Sequence, residues 1–147
     1  MTNYVQIPAI SEELAYLCGV IAGDGCICYR AAKHEWVLEI AGNPADERDY
    51  YDLVLAPLFA HVFGYIVSPR LLSSGETYGF RVYSKQLCQY LHETIGLPIG
   101  KKYSTLCIPV LFLGSKDLTT AFIRGLFDTD GYLTFKKRDK TVGYYPA

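Results

Sequence analysis

Two stretches of the chain carry the same order of apolar and polar positions. Residues 14–30 read LAYLCGVIAGDGCICYR and residues 120–136 read TAFIRGLFDTDGYLTFK, at a constant offset of 106. Ala15/Ala121, Gly19/Gly125, Asp24/Asp130 and Gly25/Gly131 are identical. Tyr16/Phe122, Leu17/Ile123, Val20/Leu126, Ile21/Phe127, Ile27/Leu133 and Tyr29/Phe135 keep apolar or aromatic character. In each copy helical spacing gives way to alternation after the Asp-Gly pair, which predicts a helix running into a strand across a tight turn.

Between the copies the pattern alternates, turns helical, alternates again and turns helical again. Cys26–Lys33 and Glu35–Ala41 read as a hairpin, and Asp46–Phe63 as a helix ended by Gly64 and interrupted at Pro57, where an interior proline costs about 3 kcal/mol unless the helix breaks or kinks. Tyr65–Leu72 and Tyr78–Tyr83 read as a second hairpin, and Lys85–Gly96 as a helix closed by Gly96-Leu-Pro98. Ser11 is placed to cap the first repeated helix, and Asp117 or Thr119 the second.

Gly19 and Gly125 each cost their helix about 1 kcal/mol relative to alanine. A cost carried twice points to close backbone approach, and Ala15 and Gly23 extend a small-residue stripe on the first helix. Asp24 and Asp130 are harder to explain, because carbonyl dipoles at a helix C-terminus disfavour a carboxylate by about 0.3–1 kcal/mol. If the helices cross along their glycines and run parallel, the two carboxylates end side by side. At ~4 Å and an effective dielectric of ~20 their repulsion is ~4 kcal/mol, so a proton or a divalent cation is needed between them.

The 147 residues make one domain of ordinary size, half hydrophobic, with a net charge of −1. Residues 1–60 hold nine acids against three bases, and residues 61–147 six acids against eleven bases, so a positive face is available to phosphates despite the balanced total. The longest apolar run stops at Asp24, well short of the ~18–20 residues of a membrane span. No secretory signal is visible, and five cysteines without zinc spacing suggest buried thiols in a reducing, cytoplasmic setting.

Leu17-Cys-Gly-Val-Ile-Ala-Gly-Asp-Gly25 and Ile123-Arg-Gly-Leu-Phe-Asp-Thr-Asp-Gly131 resemble the two signature motifs of LAGLIDADG homing endonucleases. Glu39-Ile-Ala-Gly-Asn-Pro-Ala-Asp-Glu47, Gly96-Leu-Pro-Ile-Gly-Lys-Lys102 and Ile108-Pro109 are similar to archaeal members. The resemblance implies an α+β fold: an αββαββα unit whose four-stranded antiparallel sheet forms a saddle over double-stranded DNA. On this reading residues 1–114 form a complete unit, and residues 115–147 the motif helix and partial hairpin of a second, truncated one. The chain is then expected to be a fragment, a decayed product, or a half that self-associates through the motif helices. It begins Met-Thr and shows no splice-junction blocks, so a free-standing or intron-encoded protein is expected rather than an intein.

The same resemblance implies a metal-dependent endonuclease. Asp24 and Asp130 would hold Mg²⁺ (or Mn²⁺) with the carbonyls of Gly23 and Thr129, and Lys102, with Lys101 beside it, would stabilise charge at the phosphate. Asn43 is the one polar residue matching the site at the end of the second strand. Asp128, whose counterpart is Ala22, is not expected to be essential. Alternation along the strands nominates Arg30, Lys33, Arg70, Arg81, Tyr83 and Lys85 for DNA contact. The competing expectations are a non-cleaving nucleic-acid binder (an RNA maturase or DNA-binding regulator) and an inactive remnant with an exposed apolar surface.

Overall fold

The computed structural model describes residues 4–100, 107–130, 135–137 and 144–146. Helix α1 (Glu12–Asp24) begins where Ser11 accepts a hydrogen bond from the Leu14 amide at 3.1 Å. It passes directly into β1 (Gly25–Arg30), which returns as β2 (Glu35–Gly42). Helix α2 (48–63) follows, then β3 (Arg70–Leu72), β4 (Thr77–Val82) and α3 (85–95). A short helix, α4 (Val110–Leu113), precedes α5 (Lys116–Asp130). The strands β5 (Phe135–Lys137) and β6 (Tyr144–Pro146) pair antiparallel.

The four-stranded sheet has the order β1-β2-β4-β3 with antiparallel neighbours. Opposed residues share a face, so the register Ile27–Leu38–Val82 and Ile40–Phe80 lines one side with apolar groups, all nearly inaccessible. Leu14, Leu17 and Ile21 of α1, Phe59 and Phe63 of α2, and Leu87 and Leu91 of α3 complete this core. The α+β architecture and the αββαββα order are as the pattern predicts.

Local details differ from expectation. Pro57 does not break α2. A π turn over Tyr51–Leu55 precedes it, and the Ala56 amide donates back to the Tyr51 carbonyl, so the ladder shifts by one residue and absorbs the missing N–H. The helix also begins at Arg48 rather than Asp46. Residues 65–69 are not strand, so β3 is much shorter than the alternation suggests. Ser115, not Asp117 or Thr119, caps α5 by accepting from the Leu118 amide at 3.3 Å. The expected burial of the thiols holds for Cys18 and Cys88, whereas Cys26 and Cys28 are partly exposed and Cys107 is exposed. Among the described residues no helix is long and apolar enough to cross a membrane.

The dominant contact between elements is α1 against α5. A methyl group on Gly19 would lie 2.0 Å from the Phe122 carbonyl oxygen and 2.8 Å from the Leu126 nitrogen. One on Gly125 would lie 2.0 Å from the Tyr16 carbonyl oxygen and 3.0 Å from the Val20 nitrogen. The two sets of neighbours match under the 106-residue offset, so the helices meet about a local two-fold axis. Their first turns line one cleft, with Glu12 and Glu13 beside Asp117. The helices therefore run parallel, and their last residues, Asp24 and Asp130, come to the same end.

The repeat also shows what α5 lacks. Leu17 and Ile21 of α1 are 1% and 2% exposed beneath the sheet, while their counterparts Ile123 and Phe127 are 48% and 55% exposed. Gly19→Ala and Gly125→Ala are each expected to lower stability by about 1–3 kcal/mol through overpacking, despite alanine's advantage of about 1 kcal/mol in a helix. A reduced urea midpoint is the readout, and an increased midpoint would show that the backbones do not touch there.

Candidate functional site

The site is built where α1 ends. The Gly25 amide donates to the Ile21 carbonyl, closing the helix on Asp24 before the chain turns into β1. The Tyr51 hydroxyl, fully buried in the π turn of α2, donates to Asp24 Oδ2 at 2.9 Å. Its ring is fixed edge-on against Tyr50, Tyr78 and Phe80. Burial, followed by the charge of Asp24, holds the Tyr51 phenol well above its ordinary pKa of 10.0. The same π shift that accommodates Pro57 thus places this hydroxyl.

A second carboxylate adjoins Asp24. A methyl group on Gly42, at the end of β2, would lie 2.1 Å from Glu47 Oε2 and 3.1 Å from Asp24 Oδ2. Glu47 accepts a hydrogen bond from the Asn43 amide, and the Asn43 side chain accepts from the Ala45 amide at 2.8 Å. The Asn43 side chain is therefore engaged in its own turn, and the acid four residues on stands beside Asp24. Glu47 lies four residues after Asn43, one more than the capping-box spacing, so no local motif marked it in the sequence.

Asp130 closes α5 as Asp24 closes α1. Thr129 donates from Oγ1 to the Gly125 and Leu126 carbonyls at 3.0 and 3.2 Å, so its side chain is turned back along the helix. Gly23 and Thr129 belong to the last turns, where carbonyl dipoles point out of the helix end. Lys101 and Lys102 lie outside the described residues, as do the contacts of the Asp130 carboxylate.

Asp128 has a role that its lack of a counterpart concealed. Tyr16 donates to Asp128 Oδ2 at 2.8 Å, and its hydroxyl also lies 2.5 Å from that of Tyr50. The Tyr16–Asp128 bond ties α1 to α5, and Tyr50 ties both to α2. Burial, the leading cause, raises the Tyr16 and Tyr50 phenols. The signal was a paired difference between the repeats. One copy has Tyr16 and Ala22; the other has Phe122 and Asp128, so hydroxyl and acceptor occur once each, on opposite helices.

The DNA-contact candidates divide into two sets. Arg30, Arg81 and Tyr83 come together on the sheet face away from the helices, with the Arg30 guanidinium 5.9 Å from the Tyr83 ring centre. Arg30 pairs with Glu35 at 3.4 Å and Arg81 with Glu39 at 2.5 Å. Arg70 is exposed on the outer strand, Lys33 on the tip of the first hairpin and Lys85 at the start of α3.

The same architecture recurs in solved structures of I-DmoI. One is its complex with DNA and calcium (TM-score 0.56, 21% identity, 88% of this chain and 59% of that one). Another describes mesophilic variants of this homing endonuclease (TM-score 0.55, 20% identity, 80% of this chain and 56% of that one). The fold is that of the LAGLIDADG homing endonucleases. No protein-family model matches the chain. Among curated proteins, the LAGLIDADG-fold chain is similar to a probable translation initiation factor IF-2 of Methanocaldococcus jannaschii (27% identity, 92% of this chain, 11% of that protein). It is also similar to the NrdEB ribonucleoside-diphosphate reductase alpha subunit of Bacillus subtilis (28% identity, 88% of this chain, 12% of that protein). The chain thus spans under two thirds of these I-DmoI chains and about a tenth of the curated relatives.

The buried phenols set a pH dependence. A phenol whose folded pKa is raised gives stability that is fully present below the unfolded value near 10 and is lost as pH rises through the folded value. The unfolding free energy from urea titrations is expected to fall above pH 10, by about 1.4 kcal/mol per pH unit for each tyrosine held protonated. Tyr51→Phe should flatten that decline relative to wild type, and identical curves would contradict the assigned burial.

Proposed function

We propose that this chain is a site-specific endonuclease that hydrolyses phosphodiester bonds of double-stranded DNA with a divalent metal held between Asp24 and Asp130. The observation that carries this reading is the parallel crossing at Gly19 and Gly125, which brings two helices ending in aspartate to one end of the molecule. The LAGLIDADG fold, and the DNA with manganese or calcium in the I-DmoI structures, support it. Neither the initiation factor nor the reductase supplies a rival activity. Their names describe unrelated functions, and the matched segment is about a tenth of each.

The residues fit a hard cation. Asp24, Glu47, the Tyr51 hydroxyl and the helix-end carbonyls offer oxygen atoms only. Among the described residues no group of three or more His, Cys, Asp or Glu side chains is spaced to hold a metal. Mg²⁺ is commonly bound through one or two carboxylates plus substrate phosphates, and Asp24 and Asp130 would supply the two carboxylates.

Asp24 and Asp130 would be the ligands, with the carbonyls of Gly23 and Thr129. A metal held there would supply Lewis-acid polarisation of a phosphate oxygen and a more acidic water. Tyr51 fixes Asp24 through Oδ2, so its carboxylate does not turn away when DNA arrives. Glu47 adds negative charge beside Asp24 and so favours a cation there. Lys102 would oppose charge developing on the phosphate. The metal is proposed as Mg²⁺ or Mn²⁺, the setting as cytoplasmic and the chain as intron-encoded. Residues 115–147 are proposed as the start of a second unit, and self-association is proposed through the uncovered Ile123 and Phe127 face of α5.

Cleavage of a randomised duplex library with Mg²⁺ or Mn²⁺ tests the reading. Asp24→Asn and Asp130→Asn should each lose at least about a hundredfold in rate, the scale of several kcal/mol of metal-derived stabilisation. Equal cutting by wild type and both variants would remove the mechanism. Salt-dependent binding without cleavage by wild type would favour the maturase or regulator reading instead.

A further inference from the structure

Gly42 closes β2, paired with Tyr78 of β4. Its φ is not positive, so other residues can adopt its backbone, and glycine in a strand gives up packing and order. The missing side chain is explained by what stands in its place. A methyl group there would overlap the Glu47 carboxylate and lie 3.1 Å from Asp24 Oδ2. Glu47 thus fills the space beside Asp24 that a residue at the end of β2 would otherwise occupy.

Helix capping does not account for this placement. Glu47 holds the N-cap position of α2, yet its side chain makes no capping bond to that helix. It turns back to accept from the Asn43 amide, and so toward the end of α1. Two carboxylates this close repel each other unless one takes a proton or a cation offsets their charge. Among the described residues no lysine, arginine or histidine pairs with Glu47. Both carboxylates are nevertheless held by donors, Asp24 by the Tyr51 hydroxyl at 2.9 Å and Glu47 by the Asn43 amide. Tyr51 feels both charges: burial raises its phenol most, then Asp24, then Glu47.

We propose that Glu47 is a third carboxylate of the cation site, joining Asp24 and Asp130, and that Gly42 is glycine to leave room for it. The inference rests on the metal reading above and deepens it. Asp24 and Asp130 belong to the repeated motif, whereas Glu47 comes from the turn between β2 and α2. The site is therefore lopsided, with two carboxylates supplied from the first unit. Cation affinity is tuned by the number of charged ligands, so a third carboxylate tightens the site.

Mn²⁺ binding to the full chain, without DNA, tests this, with affinity read from paramagnetic broadening of the Asp24 and Asp130 amides. Glu47→Gln keeps an oxygen for the Asn43 amide and should weaken Mn²⁺ by about 10- to 100-fold at both amides. Gly42→Ala should do the same by displacing the carboxylate. The two substitutions remove one ligand, so the combined variant should bind Mn²⁺ no more weakly than either alone. Asp46→Asn, which removes an exposed acid from the same turn, should leave affinity unchanged. Circular dichroism in EDTA reports whether each variant folds, and Glu47→Gln against Asp46→Asn decides the matter if Gly42→Ala does not. The assignment is overturned if Glu47→Gln binds Mn²⁺ as wild type does, if Asp46→Asn weakens binding as much, or if the losses from Glu47→Gln and Gly42→Ala add. Broadening at neither Asp24 nor Asp130 in wild type would instead overturn the metal reading, and this inference with it.

Discussion

The contact between α1 and α5 is the constraint from which the site follows. Two helices can approach with their backbones in touch only where neither carries a Cβ at the crossing, and Gly19 and Gly125 supply that gap on both sides. Parallel crossing then sorts the charged ends. Glu12, Glu13 and Asp117 gather at the N-terminal pole, where helix dipoles favour anions. Asp24 and Asp130 gather at the opposite pole, where the dipoles oppose them. Two helix ends that disfavour a carboxylate are thus brought to one pole, and on the proposed reading a cation offsets that cost.

The rest of the chain holds this crossing in place. The sheet covers Leu17 and Ile21 on one side of α1, and α5 covers the other. The hydroxyls of Tyr16 and Tyr50 link α1, α2 and Asp128, while Tyr51 links α2 to Asp24. These polar links matter because apolar packing alone would let two helices of similar pattern slide or exchange partners. The acceptor for Tyr16 sits on α5 and not on α1, which makes the two repeats complementary rather than identical.

Most of the architecture was legible because it follows from periodicity. The repeat, the helix-to-strand turn at Asp24-Gly25, both hairpins and the glycine crossing are all visible in apolar spacing. The passage of α2 through Pro57 was not, because a π turn moves backbone hydrogen bonds without altering the order of apolar residues. β3 is shorter than the alternation suggests because only Arg70–Leu72 pair with β4. Within the site, Asp24 was legible as a residue that its turn does not require. Glu47 and Tyr51 were not, since what places them is the end of β2 and the π shift. The glutamates opposite Arg30 and Arg81 depend on cross-strand register, which alternation fixes only to within two residues. The lack of a counterpart to Asp128 in the first repeat gave no hint of its bond to Tyr16, because the two repeats are complementary there rather than matched.

The central claim is that the two helix ends form one cation site, and Mn²⁺ titration read by NMR addresses it without requiring a known DNA target. Paramagnetic broadening should appear first, and at the same Mn²⁺ dose, at the amides of Asp24 and Asp130, and Asp24→Asn should abolish it at both. Broadening confined to Glu12, Glu13 and Asp117 at the opposite pole, or reaching Asp24 while leaving Asp130 sharp, would contradict a shared site.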